Sequence, residues 1–166
     1  MLRKEETVSV KIPAGVADGM QLKVAGKGNA GPMDGINGDL IVVIEEEKHP
    51  ELERDGNNLH YELYISIPDA VLGTRAEVPT VSGKARIKLD PGTQSGKILR
   101  LRNKGLPSVE GYGHGDLLVH VNVWTPKNIS PEHQAAFEKM QGDPDFAPRP
   151  GKGDKSFFDK VKEMFS

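Results

Sequence analysis

The sequence contains no cysteine, few aromatic residues, almost no net charge and no long hydrophobic run. Without cysteine, a disulfide scaffold, a thiol nucleophile and Cys-ligated zinc are excluded within these residues. The 22 Lys and Arg residues nearly balance the 24 Asp and Glu residues, so no positive field favours nucleic acid as a partner. No apolar run is long enough for a signal peptide or a membrane span. We therefore expect a cytoplasmic protein that binds neither membrane nor nucleic acid.

Turn-forming residues are abundant. The 19 glycines and 12 prolines, with only 5% aromatic residues, are typical of short strands joined by turns rather than of a helical bundle. The clearest predicted strand spans residues 59–67, where every second residue from Leu59 to Ile67 is apolar or aromatic. Such alternation buries one face of a strand and exposes the other. The sequence therefore predicts a mainly β fold.

An internal repeat runs through the chain with an offset of 77 residues (87 − 10). Residues 10–19 align with residues 87–96, and three later strings keep the same offset without a gap. These strings are Leu22-Lys23-Val24 with Leu99-Arg100-Leu101, Lys27-Gly28 with Lys104-Gly105, and Gly38-Asp39-Leu40 with Gly115-Asp116-Leu117. Each copy is predicted to form a strand, a glycine turn, a second strand, a long Gly-rich loop and a third strand. The second copy also has a leading part from Glu51, whose counterpart would precede Met1. We therefore expect the chain to begin inside its first β-domain.

The predicted architecture is two tandem β-sandwich-like domains, the first incomplete at its N-terminus, followed by a short helix, a linker and a C-terminal helix. The predicted bounds are 1–48 for the remainder of the first domain, 49–128 for the second and 129–166 for the helical end. Ser130 followed by Pro131 is a helix-start signature. Residues 142–153 are rich in Pro and Gly and have the composition of a linker.

The last residues regain helical spacing. Five apolar side chains can share one face of a helix: Phe157, Phe158, Val161, Met164 and Phe165. A helix this short is not stable alone, so its apolar face must dock on another surface. Docking on a second subunit makes this face the dimerisation surface of a homodimer. Folding back onto its own domain is the alternative that the sequence leaves open.

Candidate catalytic and ligand-binding motifs fail on their context. Gly26, Gly28 and Gly31 fit the G-x-G-x-x-G pattern, but the proline and glycines that follow forbid the helix that a dinucleotide site needs. No two of the five histidines have the H-E-x-x-H spacing of zinc ligands, and no serine lies in a nucleophile motif. We interpret His60 and His120 as solvated or edge residues opposite the apolar face. We assign no catalytic residue, metal or cofactor, and expect no enzyme.

Two acidic residues recur at the same place in the repeat. Asp39 and Asp116 each follow a glycine at the junction of a loop and a strand. A short polar side chain at such a junction commonly accepts hydrogen bonds from the backbone of a turn. We interpret both as turn residues rather than as a catalytic pair.

Several strings of the sequence together resemble the carboxyl-terminal half of the DnaJ chaperone family. They are the segment 48–59, the repeated segment Lys11-Ile12-Pro13-Ala14-Gly15-Val16, Ala70-Val71-Leu72-Gly73, Glu77-Val78-Pro79-Thr80, Gly105-Leu106-Pro107, Gly115-Asp116-Leu117 and the tail 155–162. The resemblance covers nearly the whole chain. His49-Pro50 is followed by Glu51, so it is not the His-Pro-Asp motif of the family's J-domain.

The resemblance implies a co-chaperone fragment that binds unfolded polypeptide clients and dimerises. In the family, the parent protein delivers clients to the DnaK ATPase chaperone, and zinc is bound only by a Cys-rich module that this chain does not carry. The peptide-binding positions that we carry over are Leu22, Val24, Ile44 and Leu52. Core packing is the alternative for all four. The alternative function is a dimerisation or scaffold module that has lost client binding through truncation.

Overall fold

A computed structural model describes residues 5, 7–26 and 38–151. Within these ranges the chain forms eight strands, two α-helices and one short 3-10 turn. The strands are β1 (Gln21–Val24), β2 (Leu40–Val43), β3 (Leu52–Asp55), β4 (Asn58–Ser66), β5 (Thr74–Thr80), β6 (Gly83–Leu89), β7 (Ile98–Leu101) and β8 (Leu117–Trp124). The helices are α1 (Ile67–Leu72) and α2 (Pro131–Met140), and the 3-10 turn is Pro144–Phe146. The prediction of a mainly β fold is confirmed.

The largest part of the structure is a sandwich of a four-stranded sheet and a β-hairpin. The sheet has the strand order β3-β4-β8-β7, and the hairpin is formed by β5 and β6. The two central strands, β4 and β8, run parallel, with Leu59 opposite Leu117. Apolar side chains from β4, α1, β5, β6 and β8 meet in one core: Leu59, Leu63, Ile65, Ala70, Val78, Ile87, Leu89, Leu117, Val119 and Val121. Burial of this shared apolar surface is what stabilises the two layers against each other.

Strand β4 ends one residue before the sequence pattern predicts. The alternation continues to Ile67, but Ile67 is the first residue of helix α1. Ser66 caps this helix, because its side chain accepts a hydrogen bond of 3.2 Å from the backbone N–H of Asp69. Pro68 in the first helical turn favours the same break, because its ring fixes φ and it has no N–H for a sheet ladder.

The sequence repeat is also a structural repeat. Strands β1 and β7 occupy equivalent positions, and β2 is equivalent to the first half of β8. The turn before each pair carries glycines with positive φ, 85° at Gly15 and 81° at Gly92. The same backbone hydrogen bonds follow, since Gly19 donates to the carbonyl of Ile44 over 2.8 Å and Gly96 donates to that of Val121 over 2.8 Å.

One element of the predicted repeat differs between the copies. Strand β6 pairs along its whole length with β5, but the equivalent segment Val10–Ile12 is not a strand. With the offset of 77, the counterparts of β5 would fall at positions −3 to 3, of which residues 1–3 lie outside the part of the chain that the structure describes. Ile12 is 57% exposed. A strand needs a partner for its backbone groups, so the prediction of a strand at 10–12 was wrong for this copy.

The helical end begins as the sequence predicts. Helix α2 starts at Pro131, and the Ser130 side chain accepts a hydrogen bond from the N–H of His133. Helix α2 contains no buried residue, and the 3-10 turn lies inside the predicted linker. The predicted dimerisation residues Phe157, Phe158, Val161, Met164 and Phe165 lie outside the described residues. The predicted domain boundaries stay predictions.

Candidate functional site

Three of the four predicted peptide-binding residues share one face of the β1–β2 hairpin. Leu22 and Val24 of β1 are half-buried, as is Ile44 immediately after β2. Leu22 lies opposite Val42, so the two side chains point to the same side. The other face exposes Val43, at 61%. The hairpin is a two-stranded sheet, so in the described part of the chain each strand has one unpaired edge.

Leu52 lies apart from this face, in β3. Its side chain is half-buried and packs against the sandwich core, so core packing accounts for part of its burial. Its backbone N–H and that of Glu51 donate to Nδ1 of His49 over 3.0 and 3.1 Å. The Leu52 side chain also lines a cleft of about 530 Å³, together with Leu106 and Pro50. The structure therefore brings Leu22, Val24 and Ile44 together and places Leu52 in a separate cleft.

Arg54 joins the first repeat to the sandwich. Its Nη1 donates to the carbonyl of Val16 over 2.7 Å, and its Nη2 donates to the carbonyl of Gly15 over 2.9 Å. The guanidinium also forms a 2.8 Å ion pair with Glu46 and donates from Nε to the carbonyl of Gly56 over 2.8 Å. The side chain is only 18% exposed. A planar guanidinium can satisfy four such acceptors at once, so Arg54 holds the turn of the first repeat against β3.

A second cleft lies next to Arg54. It has a volume of about 630 Å³ and is lined from the first repeat by Ala17, Asp18 and Met20. Its opposite side includes Asn57 and Val109. This cleft and the Leu52 cleft share the residues Glu46, Glu47, Lys48 and Arg54. The segment between β2 and β3 therefore runs between two clefts.

An apolar groove lies between α1, α2 and the 3-10 turn. It has a volume of about 730 Å³. Apolar side chains dominate its lining, namely Ile67, Pro68, Val71, Leu72, Phe137, Met140 and Phe146. Leu72 is 74% exposed and Phe146 is 52% exposed. The sequence pattern showed the apolar residues of α2 but not this groove, because helix α1 was hidden in a strand-like alternation.

His60 and His120 are not edge residues. They lie on the central strands β4 and β8, and Nδ1 of His60 is 2.7 Å from Nε2 of His120. Both are half-buried, and Nε2 of His60 is also 3.5 Å from the carboxylate of Asp55. Of the two interpretations, solvated or edge, the edge interpretation was wrong, because the parallel pairing of two strands so distant in the sequence leaves no local signal. Their position opposite the apolar core is as predicted.

Asp39 and Asp116 accept backbone hydrogen bonds in their loops, as predicted for turn residues. Asp39 accepts a hydrogen bond from the N–H of Gly26 over 3.3 Å, and Asp116 accepts one from that of Asn103 over 3.0 Å. Each also lies near the equivalent cation of the repeat, Lys23 at 2.9 Å or Arg100 at 3.5 Å. The turn interpretation is confirmed.

Within residues 5, 7–26 and 38–151, no three His, Cys, Asp or Glu side chains are grouped so that they could hold a metal ion. In the same ranges, no helix is both long and apolar enough to cross a membrane.

The geometry of the described residues defines a class of protein: a β protein with an internal repeat, in which one copy is part of a sandwich and the other is a two-stranded hairpin, with sheet edges, clefts and grooves as its accessible features. The chain belongs to the DnaJ C terminal domain family, whose model matches residues 2–126. It is 53% identical over 161 residues to "Chaperone protein DnaJ" of Bacteroides fragilis, which covers 97% of this chain and 41% of the relative. The protein of that name in Porphyromonas gingivalis is 57% identical over 144 residues, covering 87% of this chain and 38% of the relative.

A less similar relative also matches almost the whole chain. "Chaperone protein DnaJ" of Salinibacter ruber is 46% identical over 164 residues, covering 98% of this chain and 42% of the relative. The chain therefore spans about two fifths of the length of the curated relatives it matches. The family resemblance in the sequence is confirmed.

Proposed function

We propose that this chain is the client-holding part of a DnaJ-type co-chaperone. It binds unfolded polypeptide and performs no chemistry of its own, and the whole protein passes clients to a DnaK-type ATPase chaperone. Membership of the DnaJ C terminal domain family supports this role. The observation that carries it is the β1–β2 hairpin, which combines a half-buried apolar face with an edge of β1 that is unpaired among the described residues, as is the outer edge of the equivalent strand β7.

An extended client can add to such a hairpin as a further strand. Main-chain hydrogen bonds would supply sequence-independent affinity, because every client has the same backbone. Client side chains on one face of the added strand would then contact Leu22, Val24 and Ile44. This mode requires an extended, unfolded segment, since a folded protein has already paired its own strands.

Binding of a labelled, permanently unfolded polypeptide, followed by fluorescence anisotropy, tests this function. The double variant Leu22→Ala/Ile44→Ala should weaken binding by roughly tenfold, because it removes apolar contact area. The matched control Ile41→Ala/Val43→Ala changes the opposite face of the same hairpin and should bind nearly as the parent chain does. Equal loss in both variants, or no saturable binding by the parent chain, would contradict the proposal.

A second candidate function is a dimerisation module, and the groove between α1 and α2 supports it. Helix α2 buries none of its residues, so its apolar side has no cover in the described part of the chain. The described residues end at Gly151, five positions beyond the groove residue Phe146. The Phe-rich segment 157–165 follows. We propose that this segment of a second copy occupies the groove, so that two client sites act together with avidity.

Deletion of residues 154–166 should convert a dimer into a monomer, measured by light scattering. The groove variant Leu72→Glu should also convert a dimer into a monomer, because it places a charge in the apolar groove. The control Val81→Glu changes a residue that is 55% exposed and outside the groove, and should leave the mass unchanged. An unchanged mass after the deletion would contradict dimerisation. A monomeric parent chain in which the deletion exposes the groove would instead indicate that the tail folds back on its own chain.

A further inference from the structure

The outer face of the β5–β6 hairpin is basic. The two strands pair along their whole length, and side chains alternate between the two faces of a strand. One face packs Val78, Ile87 and Leu89 into the core. The other face carries the side chains of Arg75, Glu77, Pro79, Lys84, Arg86 and Lys88. Four cations and one carboxylate therefore share one surface of a chain whose formal charge is -2.

These cations are poorly compensated within the hairpin. Lys88 lies directly opposite Arg75, and like charges in that position destabilise a strand pair. Among the described residues, Arg75, Lys84 and Lys88 make no ion pair. Arg86 lies 3.8 Å from Glu77, but both side chains are more than half exposed, and such a surface pair contributes little. The face therefore holds positive charge that an anionic ligand would neutralise.

The side chains of this face favour an acidic peptide over other polyanions. None of the six is aromatic, whereas proteins that hold single-stranded nucleic acid stack its bases on aromatic rings. Pro79 is the only apolar one, whereas binding at a membrane surface needs an apolar face to insert. Lys84, Arg86 and Lys88 occupy alternate positions of β6, about 6.8 Å apart along the strand. Carboxylates at alternate positions of an extended peptide have the same spacing.

We propose that the outer face of the β5–β6 hairpin binds an extended acidic segment of a partner protein, with carboxylates at alternate positions. These carboxylates meet the row of cations on β6, and Arg75 adds a further contact beside Lys88. The inference goes beyond the proposed client-binding function, because this face shares no residue with the β1–β2 hairpin. It assigns the second repeat a binding surface of opposite chemistry, one that recognises charge rather than apolar side chains.

Fluorescence anisotropy with two labelled peptides tests this surface. The first peptide alternates Glu with Ser. The second has the same composition in repeats of Glu-Glu-Ser-Ser, which divide its carboxylates between the two faces of an extended chain. At low salt, the parent chain should bind the alternating peptide at least about threefold more tightly than the second, and added salt should weaken the binding of both.

Lys88→Glu is the decisive variant, because it should change binding and stability in opposite directions. It should weaken binding of the alternating peptide at least about tenfold, since a repelling charge replaces an attracting one. It should also raise the urea midpoint, because an opposite charge then faces Arg75, so unfolding cannot explain the lost binding. The control Lys97→Glu makes the same change of net charge at an exposed residue outside the hairpin, and should weaken binding less than about threefold.

Equal binding by the Lys88→Glu and Lys97→Glu variants would overturn the inference. Equal affinity of the parent chain for the two peptides, or a urea midpoint lowered by Lys88→Glu, would also overturn it. Vesicles of phosphatidylglycerol and single-stranded DNA are the competing ligands to measure on the same chain. If either binds more tightly than the alternating peptide and is lost in Lys88→Glu, the surface does not select an acidic protein segment.

Discussion

The phenol of Tyr61 is half-buried beside the sandwich core. Burial raises its pKa above the ordinary value of 10.0, and the nearby carboxylate of Glu51 raises it further. Below the pKa of Tyr61 in the unfolded chain, the phenol is neutral in both the folded and the unfolded state. The stability that depends on a neutral, buried phenol is then fully present. As the pH rises through the raised folded pKa, the unfolded chain ionises first and the contribution is lost.

Tyr61→Phe should therefore remove part of the loss of stability at alkaline pH. The measurement is the urea midpoint of parent and variant at about pH 9 and about pH 11. The difference between the two midpoints should be smaller in the variant. Tyr112→Phe is the control, because Tyr112 is 85% exposed. If the two variants respond identically to pH, the burial of Tyr61 is not responsible.

Single side chains were predictable where their role is local. Asp39 and Asp116 were predictable as turn residues, because each bonds the backbone of its own loop. The contact between His60 and His120 was not, since it depends on the alignment of two strands 60 positions apart. Arg54 was missed for the same reason, because its acceptors at Val16 and Gly15 belong to the other repeat. The one feature of the sequence that marks Arg54 is its place in a short strand between two charged neighbours. That pattern is too common to predict a contact with the other repeat.

The two copies of the repeat place equivalent strands in different environments. Leu117 of β8 is fully buried, whereas the equivalent Leu40 of β2 is only half-buried. Leu117→Ala should lower the free energy of unfolding by about 3 kcal/mol, because it removes apolar contacts and leaves a cavity. Leu40→Ala should lower it by less than about 1 kcal/mol, because less contact is lost there.

Urea unfolding followed by the fluorescence of Trp124 measures both changes. Trp124 is the only tryptophan and ends β8. Equal effects of the two substitutions would mean that the first hairpin contributes to the same core as the sandwich, contrary to the burial pattern.

Elements with a local signal were predicted well, and their pairing was not. The N-terminus of α2 followed from Ser130 and Pro131, and most of β4 followed from its alternation. The parallel pairing of β4 with β8 had no signal, because parallel neighbours are joined by long connections rather than by a recognisable hairpin turn. Helix α1 was missed because one short turn of helix at the end of a strand preserves the apolar alternation.

Arg54 supplies polar contacts between the two repeats. Arg54→Lys keeps the charge but removes the planar fork that reaches Gly15 and Val16. Amide exchange in β1 and β2 should become roughly tenfold faster, because the first repeat opens more often. Exchange in β4 and β8 should be unchanged. Arg86→Lys is the control, since Arg86 is exposed and lies 3.8 Å from Glu77. Faster exchange in all four strands would contradict the expectation that Arg54 stabilises the first repeat alone.

Strands β4 and β8 meet across a separation of about 58 positions, since Asn58 bonds Asp116 at the start of their ladder. At translation rates of about 5–20 residues per second, β8 leaves the ribosome roughly 3–12 s after β4. Until then the apolar face of Leu59, Leu63 and Ile65 has no central partner, and long-range pairing of this kind is slow to form. During its own synthesis this protein therefore exposes apolar, unpaired strand surface, as do the unfolded polypeptides that we propose it binds.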